Sequence, residues 1–136
     1  MSVSIRRLGP GDEGVVAALA EGPPQTALLA DEATVFLVAF DGDEPVGFVF
    51  GYDLPRRHGD PSILFVYEVD VDESHQRQGI GRRLLDELAA IARGRGIGEG
   101  FVLTDADNVA ANRLYESAGG VATPGVVMWD FAYGDA

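Results

Sequence analysis

The stretch from residue 63 to residue 93 constrains this chain more than any other. It holds a strand pattern, a glycine-bearing turn and an amphipathic helix in direct succession. Ile63 to Val71 is rich in β-branched and aromatic residues and reads as a long strand. Simple alternation puts Leu64, Val66, Glu68 and Asp70 on one face, and Ile63, Phe65, Tyr67, Val69 and Val71 on the other. Ile80, Leu84, Leu85, Leu88, Ile91 and Ala92 then recur at helical spacing, and Gly94 and Gly96 stop the helix.

Gln76-Arg77-Gln78-Gly79-Ile80-Gly81 joins the two elements. Glycines at a strand-to-helix junction let backbone N–H groups close on a phosphate, and the positive end of the helix dipole faces the same anion. Four of the ten arginines fall between Arg77 and Arg93, so positive charge is concentrated here. A Rossmann nucleotide site would need a third glycine where Leu84 stands, so that fingerprint fails. On the residues alone, a phosphate cradle and an ordinary tight turn both remain open.

The flanking sequence reads as one α/β (α+β) domain over residues 1–136, a single mixed sheet flanked by about four helices. Val3 to Leu8 is a first strand. A helix starts after Gly9-Pro10-Gly11-Asp12 and ends at Gly22-Pro23-Pro24, and Gln25 to Glu32 can form a second short one. Thr34 to Phe40 and Val46 to Tyr52 form a hairpin about Asp41-Gly42-Asp43, followed by a polar loop over residues 54–62. Phe101 to Thr104 is a short strand, Asn108 to Ala118 an amphipathic helix, and Val126 to Phe131 a last strand.

Charge and composition narrow the function. Twenty-two acids against ten Lys plus Arg give a net charge of −12. Such a surface repels nucleic acid and anionic lipid and attracts cationic small molecules, or else serves only to keep the chain soluble. The absence of cysteine excludes a disulfide framework and a thiol nucleophile. No apolar run is long enough for a signal peptide or a bilayer span, which points to a cytoplasmic protein with no membrane partner. His58 and His75 lack ligand spacing, so no metal is expected.

With the loop in its context, the chain resembles the GNAT (GCN5-related N-acetyltransferase) superfamily over essentially its whole length. Gln76-Arg77-Gln78-Gly79-Ile80-Gly81 is similar to that family's acetyl-CoA loop. Asn108-x-x-Ala111-x-x-Leu114-Tyr115-x-x-x-Gly119 is similar to its second cofactor signature. Tyr52-Asp53-Leu54-Pro55 and Tyr67-Glu68-Val69-Asp70-Val71 further resemble the GNAT-type aminoglycoside 3-N-acetyltransferases. Glu68 replaces an Asp of that pattern, Asp70 a small residue and Gly81 an Ala, and the N-terminal half is shorter.

The resemblance implies an acetyltransferase that uses acetyl-CoA (coenzyme A) and acts on a cationic small-molecule amine, in relatives that often pair as homodimers. Strands 63–71 and 100–104 would splay apart to admit the pantetheine arm. The backbone of Val69 and Val71 would bind that arm, with the Val69 N–H facing the thioester oxygen. Gln76, Arg77, Gln78, Gly79, Ile80, Gly81 and Arg82 would hold the pyrophosphate, and Asn108 would hold the cofactor from the other side. Tyr115 would be the general acid at sulfur, although a tyrosine beside Leu114 at helical spacing also suits a core position.

Glu68 is the candidate general base, partial burial raising its pKa, or else an anchor for the substrate ammonium. Asp31, Glu32, Asp53, Asp105, Asp107 and Asp130 could line an acidic acceptor site. Asp53 and Asp105 sit beside matched motifs, and with Tyr52 and Glu68 they form the expected substrate set. Asp107 could instead cap the helix that follows. A protein or polyamine N-acetyltransferase and a non-catalytic acetyl-CoA sensor are the alternative functions.

Overall fold

Thr34–Asp41 (β2) is buried along almost its whole length, and it pairs on both sides. Its apolar, β-branched residues suit a central strand. Gly42 takes φ 63° in the tight turn that leads into Glu44–Leu54 (β3). The computed structural model describes residues 2–58 and 61–134, so residues 59 and 60 of the polar loop lie outside the described residues. Val3–Arg7 (β1) borders β2, Ile63–Val71 (β4) borders β3, and Gly100–Val102 (β5) closes the order β1-β2-β3-β4-β5. The pairs β1–β2, β2–β3 and β3–β4 are antiparallel, and the pair β4–β5 is parallel.

Glu13–Leu19 (α1) and a short 3₁₀ turn at Ala27–Ala30 cover one face of this mixed sheet. Ile80–Gly94 (α2) covers the other. Val109–Ser117 (α3) rests on α2 and has no buried residue. Among the described residues three α-helices therefore flank the sheet, and the segment expected as a helix at 25–32 holds a 3₁₀ turn at Ala27–Ala30. On the α2 face Leu84 and Leu88 are almost fully buried against Val35, Leu37, Val49 and Leu64. Burying each leucine contributes about 1.5–3 kcal/mol. On the α1 face Phe36 stacks on Phe50 at 5.2 Å, with Val38, Phe40 and Val16 around them.

Two expectations are corrected here. Val126 to Phe131 forms no strand, and residues 121–134 carry no regular secondary structure. A strand needs a neighbour, and this segment has none in the sheet. The simple alternation along β4 also breaks. Phe50 pairs with Glu68, but the next residue, Gly51, pairs with Val66, which leaves Tyr67 as an extra residue in a β-bulge. Leu64 and Val66 before the bulge thus share the α2 face with Val69 and Val71 after it. Glu68 and Asp70 share the opposite face with their partners Phe50 and Phe48. Gly51 permits the bulge, because a Cβ there would lie 2.7 Å from the Phe65 carbonyl oxygen.

Candidate active site

The sheet opens where β4 bulges. β5 pairs with β4 only from Leu64 to Val66, so Tyr67 to Val71 have no strand on that side. The Asp72 N–H donates to the Val46 carbonyl at 2.8 Å, back toward β3. By alternation, the backbone groups of Val71 and Val69 face the opening left by β5. The Val71 N–H is met by Asp70 Oδ1 at 3.0 Å, and its carbonyl accepts from Gln76 Nε2 at 2.9 Å. Gln76 thus ties the loop to the strand end.

The loop beyond is shaped for an anion. Arg77 stands at φ 64° and Gly79 at φ 79°, and Gly79 opens α2 with no side-chain cap. Left-handed residues in such a loop turn successive N–H groups inward, and an uncapped helix start adds its own unpaired donors. Arg77 in the left-handed region costs about 1 kcal/mol, a strain typical of ligand-binding loops. Ser74 Oγ and Asp41 Oδ2 hold the two ring nitrogens of His75 at 2.9 and 3.0 Å, pinning the loop to the end of β2.

The remaining loop residues divide. Arg82 pairs with Asp86 one turn along α2, at 3.0 Å. Gly81 serves packing: a Cβ there would come within 3.1 Å of Leu114, so the missing side chain lets α3 close on α2. Tyr115, the next residue of α3, is half-buried, and burial pushes its phenol pKa above the usual value. Asn108 Oδ1 accepts from the Ala111 N–H at 3.1 Å, so Asn108 caps α3 where Asp107 was considered for that part. Its engagement as a cap leaves the amide nitrogen as its donor toward a ligand.

Across the sheet lies a cleft of about 390 Å³. It is lined by Leu19 and Glu21 from the end of α1, Glu44 and Phe48 from β3, and Asp70 and Asp72 at the end of β4. Glu68 stands on the same face of β4, opposite Phe50, and is exposed rather than partly buried. Tyr52 and Tyr67 meet edge to face at 5.8 Å and both touch Phe50. Burial first, then the nearby Tyr67 and Glu68, push the Tyr52 pKa up.

Tyr52 and Glu68 are therefore neighbours, and the other two expected substrate residues stand apart. Asp53 is bound to Arg95 at 3.0 Å, both side chains largely covered. Asp105 is exposed, and its carbonyl accepts from Asn112 Nδ2. Of the further acids considered, Asp31 caps the Ala33 N–H and Asp130 lies in the exposed C-terminal segment. Sequence reasoning missed Glu21, Glu44 and Asp72 as cleft residues. Asp70, two residues after Glu68, was the visible signal.

The model of the acetyltransferase (GNAT) family matches residues 11–120, and the chain belongs to that family. It is 35% identical over 86 residues to an L-2,4-diaminobutyric acid acetyltransferase of Streptomyces anulatus, covering 62% of this chain and 47% of that enzyme. It is 41% identical over 54 residues to a ribosomal protein bS18-alanine N-acetyltransferase of Escherichia coli K12, covering 40% of this chain and 36% of that one. The chain thus spans less than half the length of these curated relatives. Among solved structures, an aminoglycoside acetyltransferase from an uncultured soil metagenomic sample superposes with a TM-score of 0.85 at 25% identity, covering 98% of this chain and all of that one. Proteins of this family use acetyl-CoA as the acyl donor. The uncapped start of α2, the left-handed Arg77 and Gly79, and the opening between β4 and β5 fit that donor's pyrophosphate and its arm.

Proposed function

We propose that residues 1–136 form one N-acetyltransferase domain that acetylates an amine of a cationic small molecule, the 3-amino group of an aminoglycoside. The observation that carries this reading is the acid-lined cleft of about 390 Å³ that holds Asp70, on the sheet face that also carries Glu68. Its carboxylates suit a molecule bearing several ammonium groups, and Phe48 adds an aromatic face for a cation. The solved aminoglycoside acetyltransferase of similar fold supports the same acceptor class.

Acetyl-CoA supplies a thioester-activated acyl group when bound. Gly79, Ile80 and Gly81 offer backbone N–H groups to its pyrophosphate, with Arg77 and Gln78 beside them. Arg82 adds positive charge at the same helix end, and Asn108 contributes from α3. The Val69 N–H points into the opening and serves as donor to the acyl oxygen as negative charge grows there. The backbone of Val71 borders the same opening. Glu68 takes the proton of the substrate ammonium, directly or through water, so that a free amine can attack. Tyr115 keeps its proton to high pH because it is half-buried, and delivers it to the sulfur. Tyr52 shapes the acceptor side beside Glu68, and Asp53 and Asp105 act at longer range through charge.

A second reading is favoured by one relative. The likeness to the diaminobutyric acid acetyltransferase supports a smaller diamine as the acceptor. Mass spectrometry of the products from acetyl-CoA with sisomicin, kanamycin, spermidine, 2,4-diaminobutyrate and an alanine-terminated peptide separates the cases. We expect a singly acetylated aminoglycoside carrying the acetyl group on the 3-amino nitrogen. Acetylation of diaminobutyrate alone selects the second reading, and acetylation of the peptide alone overturns both.

A further inference from the structure

A second cavity, of about 230 Å³, lies apart from the cleft. The turn after β1, at Leu8 to Pro10, forms one wall, and the 3₁₀ turn with the acids that follow it forms another. Thr34 and Phe36 of β2 form the floor. Phe36 also meets Phe48, which lines the cleft, at 5.6 Å between ring centres. An aromatic layer therefore stands between the two openings. Across the sheet Phe36 pairs with Phe50 and Phe50 with Glu68, so the floor lies two strands, roughly 10 Å, from Glu68. A small molecule seated there does not reach Glu68.

Thr34 is the residue that the fold leaves unexplained. It is the only buried polar side chain among the described residues, 6% exposed. Its carbonyl accepts from Arg7 and its N–H donates to the Asp31 carbonyl at 3.0 Å. Among the described residues its hydroxyl makes no hydrogen bond. No unpaired side-chain polar atom among them is fully sealed, and alternation puts Thr34 on the face of Phe36, so the hydroxyl opens onto the cavity. A hydroxyl held in a nearly closed apolar setting without a partner carries a cost that a ligand removes.

Charges of both signs rim the same cavity. Arg7 donates to the Thr34 carbonyl at 3.3 Å and stands 4.0 Å from Glu32, which leaves further N–H donors on its planar guanidinium. Asp31 Oδ1 accepts from the Ala33 N–H at 2.9 Å. Leu8 and Leu29 are buried and make the walls apolar. A pure anion would meet Asp31 and Glu32, and a pure cation would meet Arg7. A molecule that carries both charges a few bonds apart is accepted by both.

We propose that this cavity binds a small zwitterion, an apolar α-amino acid, separately from the acetyl acceptor. Its carboxylate takes the Arg7 guanidinium and the Thr34 hydroxyl, and its ammonium faces Asp31 and Glu32. Its side chain rests between Leu8, Leu29 and Phe36. The volume is below that of drug-sized pockets, which suits one amino acid and not a linked set of sugar rings. Such binding needs neither acetyl-CoA nor an acceptor, so it stands or falls apart from the proposed reaction.

L-leucine is the probe, titrated by calorimetry into the full chain without acetyl-CoA. Isocaproate, which lacks the ammonium, and isoamylamine, which lacks the carboxylate, are titrated beside it. Saturable binding of leucine is expected, with each analogue at least about tenfold weaker. Amide resonances of Gly9, Leu29 and Thr34 should shift as leucine binds. Arg7→Met should weaken leucine at least about tenfold, and Thr34→Val about fivefold. Thr34→Val keeps the size and removes the unpartnered hydroxyl, so its Tm should equal or exceed that of the parent. It reads the site even if Arg7→Met fails to fold. Absence of saturable leucine binding overturns the proposal. So does binding that either folded variant leaves intact, or shifts centred on Phe48 and Asp70, which put leucine in the cleft. Equal affinity for leucine and either analogue overturns it too, because the cavity then reads one charge or none.

Discussion

In the proposed mechanism two side chains divide the proton traffic, and each can be tested alone. Glu68 stands beside the bulge on the cleft face, opposite Phe50. As the base, its replacement by Gln lowers kcat about 100-fold with little change in KM for the amine. Steady-state kinetics distinguish this from an anchor, whose loss would raise KM and spare kcat. Tyr115 is half-buried, and burial raises its pKa above the ordinary tyrosine value. A raised pKa means the fold favours the neutral phenol. The stability this gives is full below pH 10 and is lost as pH rises through the folded-state value. Denaturation curves of Tyr115→Phe should therefore lose less stability between about pH 9 and 11 than the parent. Its kcat should fall at least about tenfold at neutral pH.

At the scale of elements, the β4 bulge does the most to build the site. It turns Glu68 and Asp70 to the face that bears the cleft while Val69 and Val71 keep their side chains in the α2 core. Gly51→Ala would press a Cβ to 2.7 Å from a backbone oxygen. The expected cost is about 1–3 kcal/mol, seen as a Tm lower by roughly 3–10 °C, with kcat/KM falling as Glu68 moves. Much of this frame was legible in the sequence. β4 spans the residues its composition indicated, and α2 begins and ends within one residue of the expected limits. Strong periodicity and glycine punctuation act locally, so sequence carries them. The bulge was not legible, since the alternation of β4 depends on a glycine in the facing strand. The Asp53–Arg95 pair joins residues 42 apart and leaves no local mark. Asn108 matched a cofactor signature and is also a helix cap, two parts that one sequence pattern cannot separate. The segment at 126–131 has strand composition but no strand beside it among the described residues, and pairing is a property of the whole sheet.

For the whole molecule, charge sets the terms of encounter. A net charge of −12 attracts a polycation and repels acetyl-CoA, whose proposed site lies by the arginines near the start of α2. Raising ionic strength from about 20 mM to 500 mM should lower kcat/KM for a polycationic acceptor about tenfold, because the Debye length shrinks below the cleft dimensions. The KM for acetyl-CoA should hold steady or fall over the same range, and a salt series read by initial rates checks both signs. The most direct test of the account is the initial rate of thiol release from acetyl-CoA with sisomicin as acceptor. The account predicts a kcat/KM of about 10⁴ M⁻¹s⁻¹ or higher, within the range of true enzyme substrates. Tight binding of acetyl-CoA with no thiol release above the hydrolytic background, for sisomicin or any other amine, would contradict it and identify the chain as a sensor of the donor.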